Sequence, residues 1–145
     1  MRLWHEKLLP YLDRQRLLGQ HRECCALRGK GWGKKHSVVD YVFTHDPAKL
    51  VAYHHLVMNE MERRGYKPDT MWRSGNWRGS ALGASTEDLW KKCRVNSVMY
   101  MLAAEKTGVM IYSEHNDEYL RECIALLKEK EAPIDWEKVE QDGLI

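Results

Sequence analysis

The sequence holds no apolar run long enough to cross a bilayer: its longest, Val98 to Ala104, has seven residues, against roughly 20 for a spanning helix. No secretory leader is expected either, because Glu6 and Lys7 interrupt the short apolar opening from Met1 to Leu9. Four prolines and ten glycines, with no Ser/Gly-rich or Pro-rich tract, leave no linker, and no internal repeat or low-complexity segment stands out. The 145 residues are therefore expected to form one domain, residues 1–145, around one core. Of the four cysteines, Cys24 and Cys25 are adjacent, a poor start for a disulfide framework, so all four are read as reduced thiols. These absences point to a soluble, cytoplasmic chain without a membrane partner, expected to act as a monomer.

What is present is charge, and it is segregated. The net charge is only +2, yet Arg14 to Lys35 carries Arg14, Arg16, Arg22, Arg28, Lys30, Lys34 and Lys35 against the single acid Glu23. A second basic stretch runs from Arg63 to Arg78, while Glu114 to Asp142 is predominantly acidic. Such polarity suits a polyanion on one face and water or another partner on a different one.

Hydrophobic periodicity and capping residues predict four helices. Asp13 caps a helix through about Leu27 with Gly29 beyond its end, its buried stripe drawn from Leu17, Leu18, Cys24 and Cys25. Asp46 and Pro47 open a second, stopping at Gly65 and lined by Leu50, Tyr53, Val57 and Met61. Ser85 or Thr86 starts a third that ends at Gly108 and holds the apolar residues Leu89, Val95, Val98, Met99, Met101 and Leu102. Ser113 or Asn116 starts a fourth that runs to about Lys130. His36 to Phe43 reads as one short strand or a buried extended segment. The expected architecture is mostly α, an irregular helical bundle with room for one or two short strands.

Three features bear on chemistry. Glu23, alone among bases and beside the apolar stripe, is placed either for an intrahelical ion pair or to stabilise positive charge developing on a sugar. Gln15, Gly19, Arg22 and Ala26 form a row with little side-chain bulk, along which a base or backbone could approach, or which is a loosely packed surface. Aromatic residues interleave with cations in Gly-Trp32-Gly-Lys34-Lys35 and around Trp72 and Trp77, suited to stacking on bases or to lid packing over a core. No metal site is expected, since Cys24 and Cys25 diverge by about 100° on a helix and the histidines lack ligand spacing; no cofactor is expected either.

In order and spacing, Leu8, Leu12, Gln15, Leu17 and the pair Arg22-Glu23, with Arg28 beyond, resemble the phage-type pyrimidine dimer DNA glycosylase (endonuclease V) family. Met61-Glu-Arg-Arg-Gly65-Tyr66-Lys-Pro-Asp69 is similar to that family's helix closing in a basic, Gly and aromatic turn, and Tyr112-Ser-Glu-His115 is a weaker match. The resemblance implies a compact helical domain that binds damaged duplex DNA, flips a base, cleaves the glycosyl bond at a pyrimidine dimer and then nicks the abasic strand as a lyase. It implies that the nucleophile is the N-terminal α-amine, forming a Schiff base at C1′. An α-amine has a pKa of about 7.7–8.0 against about 10.4 for Lys, so far more of it is neutral near pH 7. Arg2 is bulky and should leave Met1 in place, which makes Met1 the amine donor. Glu23 would stabilise the sugar cation and shuttle protons, while Arg2, Gln15, Arg22, Arg28, Lys30, Trp32, Lys34 and Lys35 would hold DNA. Here the sequence departs from the family's pattern: Met71 to Gly108 has little counterpart, and an acidic end replaces an aromatic-rich tail. The competing expectations are a DNA-binding protein without catalysis and an RNA-binding module using the Trp-rich loops.

Overall fold

The computed structural model describes residues 2–29 and 39–145. Helix α1 (Arg14–Arg28) begins where the sequence offers a cap: the Asp13 carboxylate accepts from the Arg16 backbone N–H, satisfying a donor that a helix start leaves unpaired. Leu17, Cys24 and Leu27 are buried, whereas Leu18 and Cys25 are only half-buried. Helix α2 (Pro47–Arg63) opens on Asp46, whose side chain accepts from the Ala48 N–H at 2.9 Å. Just past its end, Gly65 turns the chain at φ +85°, a conformation that glycine adopts without steric cost. Leu50, Tyr53, Val57 and Met61 are buried as their spacing predicts, joined by Val51 and Met58. Each apolar side chain so buried contributes roughly 1.5–3 kcal/mol. Helix α2 packs against both α1 and α4 and is the structural centre of the molecule.

The single helix predicted from Ser85 to Gly108 is divided into α3 (Asp88–Lys91) and α4 (Cys93–Thr107), with Lys92 between them and Gly108 closing α4 at φ +71°. Helix α5 (Asp117–Glu129) is capped by the Asn116 side chain, which accepts from the Tyr119 N–H at 2.8 Å. It buries Leu120, Cys123, Ile124 and Leu127. Pro133 keeps α5 from continuing, and Asp135 then caps a short further helix, α6 (Trp136–Gln141), outside the predicted set. Short 3-10 turns cover Glu6–Tyr11, Asp40–Thr44 and Thr70–Arg73.

The strand expected over His36 to Phe43 is corrected where it is described. Residues 36–38 lie outside the described residues, and Asp40–Thr44 is a 3-10 turn that buries Val42 and exposes Phe43. With no neighbouring strand among the described residues to pair its backbone, this apolar segment makes its hydrogen bonds locally, as from the Val42 N–H to the Val39 carbonyl. Among the described residues β structure is limited to an isolated bridge between Trp77 and Ala84, so the architecture is all-α. None of the described helices is long and apolar enough to cross a membrane. One hydrophobic cluster joins the N-terminal segment (Leu3, Leu8, Leu12) to α1, α2 and α5, and a smaller one joins α2 to Trp90 and Cys93.

Candidate active site

The N-terminal segment is held against α1 by side chains that read its backbone. Gln20, buried on α1, donates from Nε2 to the Arg2 carbonyl at 2.8 Å, while its Oε1 accepts from the Trp4 N–H at 3.0 Å. The Tyr53 hydroxyl from α2 lies 2.8 Å from the same Oε1 and 2.6 Å from the Trp4 carbonyl. From α5 the Tyr119 hydroxyl donates to the Leu3 carbonyl at 2.6 Å. Glu6 secures the far end of the segment: its carboxylate pairs with His115 Nδ1 and accepts from the Ile111 N–H at 2.8 Å. Buried backbone groups need partners, and here they come from three helices at once. Residue 2 is thereby fixed beside α1.

A cleft of about 530 Å³ opens at that point. Arg2, Trp4, Gln15, Arg16, Gly19 and Arg22 contribute to its walls, and Lys130 adds a cation from beyond α5. Gly19 keeps it open for want of a side chain; a Cβ there would meet nothing nearer than Arg22 Nη2 at 3.9 Å. Glu23 follows one helical turn after Gly19 and Gln20. Its side chain is fully buried, and neither carboxylate oxygen has a hydrogen-bond partner among the described residues. Burial without a partner disfavours the charged form, and loss of solvation pushes the Glu23 carboxyl up to about 7. Such a group gives and takes a proton near neutrality, as general acid–base catalysis requires. The intrahelical ion pair that was its other reading does not form among the described residues.

Arg28, five residues further along α1, is equally buried, but both of its terminal nitrogens are engaged while Nε has no partner among the described residues. Nη1 donates to the Trp72 carbonyl at 2.8 Å and to His54 Nδ1 at 2.9 Å, and Nη2 donates to the carbonyls of Ser74 and Trp77 at 2.7 and 3.1 Å. Its carbon centre lies 5.1 Å from the Trp72 ring. Burial pushes the guanidinium down to about 10, which still leaves it charged at neutral pH. Because a guanidinium only donates, His54 Nδ1 must accept and Nε2 must carry the hydrogen, which it directs at His21 Nδ1 across 2.8 Å. Cys25 Sγ stands 3.9 Å from that Nε2.

The donor atoms of His21, Cys25 and His54 thus fall within 4.8 Å of one another, a grouping of metal-binding type. Its polarity is wrong for a metal ion. A metal-bound imidazole donates its second N–H to an acceptor, whereas His54 meets a buried cation at that position. Burial and the Arg28 charge hold His54 neutral.

The structure places the predicted site residues unequally. Gln15 and Arg22 are exposed at the cleft. Arg2 reaches the same cleft, but its guanidinium pairs with Glu122 of α5 at 3.2 Å and lies over the Tyr119 ring. Arg28 is a correction: expected on DNA, it is inside the protein, its donors committed to the carbonyls that shape residues 72–77. Met1, Lys30, Trp32, Lys34 and Lys35 lie outside the described residues. The sequence reading missed Gln20, whose partners are the backbone of residues 2 and 4 and the Tyr53 hydroxyl from another helix, which no local side-chain pattern marks. It also missed the convergence of His54 on His21 and Cys25, which spacing along a single helix could not reveal.

Comparison with known proteins yields a family match: the sequence model of the family described as pyrimidine dimer DNA glycosylase covers residues 1–74. Neither the curated proteins nor the solved structures contain a match.

Proposed function

The chain belongs to the pyrimidine dimer DNA glycosylase family, and we propose that it removes a damaged pyrimidine from duplex DNA through its N-terminal amine and then nicks the strand. The Met1 α-amine attacks the sugar C1′ and the glycosyl bond breaks with its electron pair on the base, which takes up the proton shed by the amine; the nitrogen lone pair then opens the sugar ring to the protonated Schiff base as O4′ takes a proton from Glu23. Removal of a C2′ proton then expels the 3′ phosphate by β-elimination, as in a lyase. Glu23 serves both halves. Protonated, it delivers a proton as the ring opens; ionised, it stabilises the cationic sugar and accepts the C2′ proton. Arg22, Gln15 and Arg2 surround the cleft that receives the flipped nucleotide, and the basic residues Lys30, Lys34 and Lys35, with Trp32 among them, hold and wedge the duplex.

The observation that carries the proposal is the buried Glu23 carboxyl. It has no hydrogen-bond partner among the described residues, its pKa is raised to about 7, and it is close in sequence to the Gln20 amide that holds residue 2. A carboxyl buried only for architecture is normally hydrogen-bonded.

Borohydride trapping on ultraviolet-irradiated duplex and on abasic duplex tests it. A covalent adduct mapping to the first peptide is expected on both. An adduct on Lys7 or Lys34 would move the nucleophile. Tight, salt-sensitive duplex binding with no trappable adduct would leave a DNA-binding protein without catalysis.

A further inference from the structure

Helix α4 is turned the opposite way from an ordinary amphipathic helix. Cys93 and Ser97 are its buried positions, with Tyr100 packed behind them, while its bulky aliphatic residues point outward. Val95 is 64% exposed, Val98 49%, Met99 62% and Leu102 44%. At about 100° per residue these four fall on one stripe, centred opposite the buried positions. Val95, Val98, Met99 and Leu102 therefore make a continuous apolar ridge along a 15-residue helix. Contiguous exposed apolar surface of this kind marks an interaction site, unlike singly scattered residues.

The charges beside the ridge select its occupant. Arg94 and Glu105 are eleven residues apart, which returns to the same flank within about 20°, and both are exposed. Neither has an ion-pair partner among the described residues. When two copies of a helix pack antiparallel about a twofold axis, each flank meets the same flank of its partner, so residue i faces j and j faces i. Placed at the centre of α4, the axis brings Arg94 of each copy to Glu105 of the other and interleaves the two ridges. A parallel pair would set these charges against the opposite flank, where they have no complement. Leu89 and Val109, both exposed just beyond the ends of α4, are carried toward each other by the same operation.

We propose that α4 is a self-association surface and that the protein forms a twofold dimer through an antiparallel α4–α4 contact, in place of the expected monomer. One helix per copy is a small interface beside the roughly 800 Å² per partner of a stable complex, so the dimer is weak, with a dissociation constant on the order of micromolar.

Sedimentation velocity on the full chain over a wide concentration range tests it, with circular dichroism confirming that each variant is folded. Wild-type protein is expected to shift from monomer to dimer as concentration rises. Val98→Asp, at an exposed position that leaves the core untouched, should weaken the dimer at least tenfold. Arg94→Glu and Glu105→Arg should each weaken it several-fold, and the double exchange should restore it. A protein that stays monomeric at every concentration, or a dimer indifferent to Val98→Asp, overturns the proposal. Single exchanges that the double variant fails to rescue overturn the antiparallel pairing.

Discussion

Helix α1 buries two charged side chains five residues apart and treats them in opposite ways. Arg28, at its C-terminal end, meets three carbonyls and an imidazole nitrogen and holds the loop at 72–77 in place. Glu23, toward its middle, meets no hydrogen-bond donor among the described residues and follows by one helical turn the Gln20 that anchors the N-terminal segment. A buried charge that serves the fold is normally given partners, as Arg28 is; under the proposed function Glu23 is left without them so that it can titrate. The basic segment of the sequence therefore contains two kinds of arginine, those at the surface such as Arg22 and one that is part of the interior.

Replacing Arg28 should produce the largest change in stability. Arg28→Met removes the donor from four acceptors, and breaking the contacts of a buried charge of this type costs about 3–5 kcal/mol. Urea unfolding reads that loss, and the slope of log affinity against log salt on duplex DNA should be unchanged. Arg22→Ala is the counterpart: unaltered stability, and a slope reduced by about 0.9 because one phosphate is no longer neutralised. If Arg28→Met left stability intact and lowered the salt slope, the division between the two arginines would collapse.

Glu23→Gln sharpens the other side of the comparison. The amide has nearly the same shape but cannot carry charge, so duplex affinity should hold while the single-turnover rate of strand cleavage falls about a hundredfold or more. The same variant also has a stability signature. The folded Glu23 carboxyl titrates at about 7 instead of the ordinary 4.5, so the folded state binds a proton that the unfolded chain has released. Its contribution is present below pH 4.5 and lost as pH rises through 7. Relative to wild type, Glu23→Gln should thus gain nothing at the acid end and about 3 kcal/mol above pH 7. Taking the difference between the two proteins cancels the opposite trend from the buried histidines, which lose stability as pH falls. A difference that stays flat from pH 4 to 8 would return Glu23 to an ordinary solvated carboxylate.

The smallest effect concerns Gly19. It lies inside α1 with room for a methyl group, so Gly19→Ala should stabilise the helix by about 1 kcal/mol. Gly19→Leu should also fold, but it would fill the cleft beside Arg22 and weaken binding to damaged duplex. Unimpaired binding by Gly19→Leu would show that DNA does not enter there.

Much of this molecule was legible in its residues because the relevant interactions are local. Asp13, Asp46 and Asn116 each cap the helix they precede, and glycine follows the ends of α1, α2 and α4. The inward faces of α2 and α5 follow from spacing alone. The isolated acid was legible too: Glu23 stands out as one carboxylate among bases, inside the stretch that the family model covers, which stops at residue 74. Cap and periodicity, however, say only that a helix has faces, not which neighbour covers each one. Arg28 read as a surface cation until the carbonyls of residues 72, 74 and 77 were found around it. Val95, Val98, Met99 and Leu102 read as the apolar side of a helix until α2 proved to pack on the other side of α4. Local sequence determined the helices, their ends and the isolated acid. Only the packing of α1 and α2 against chain distant in sequence decided which charges became interior and which apolar face was left outside, because burial depends on partners that lie dozens of residues away.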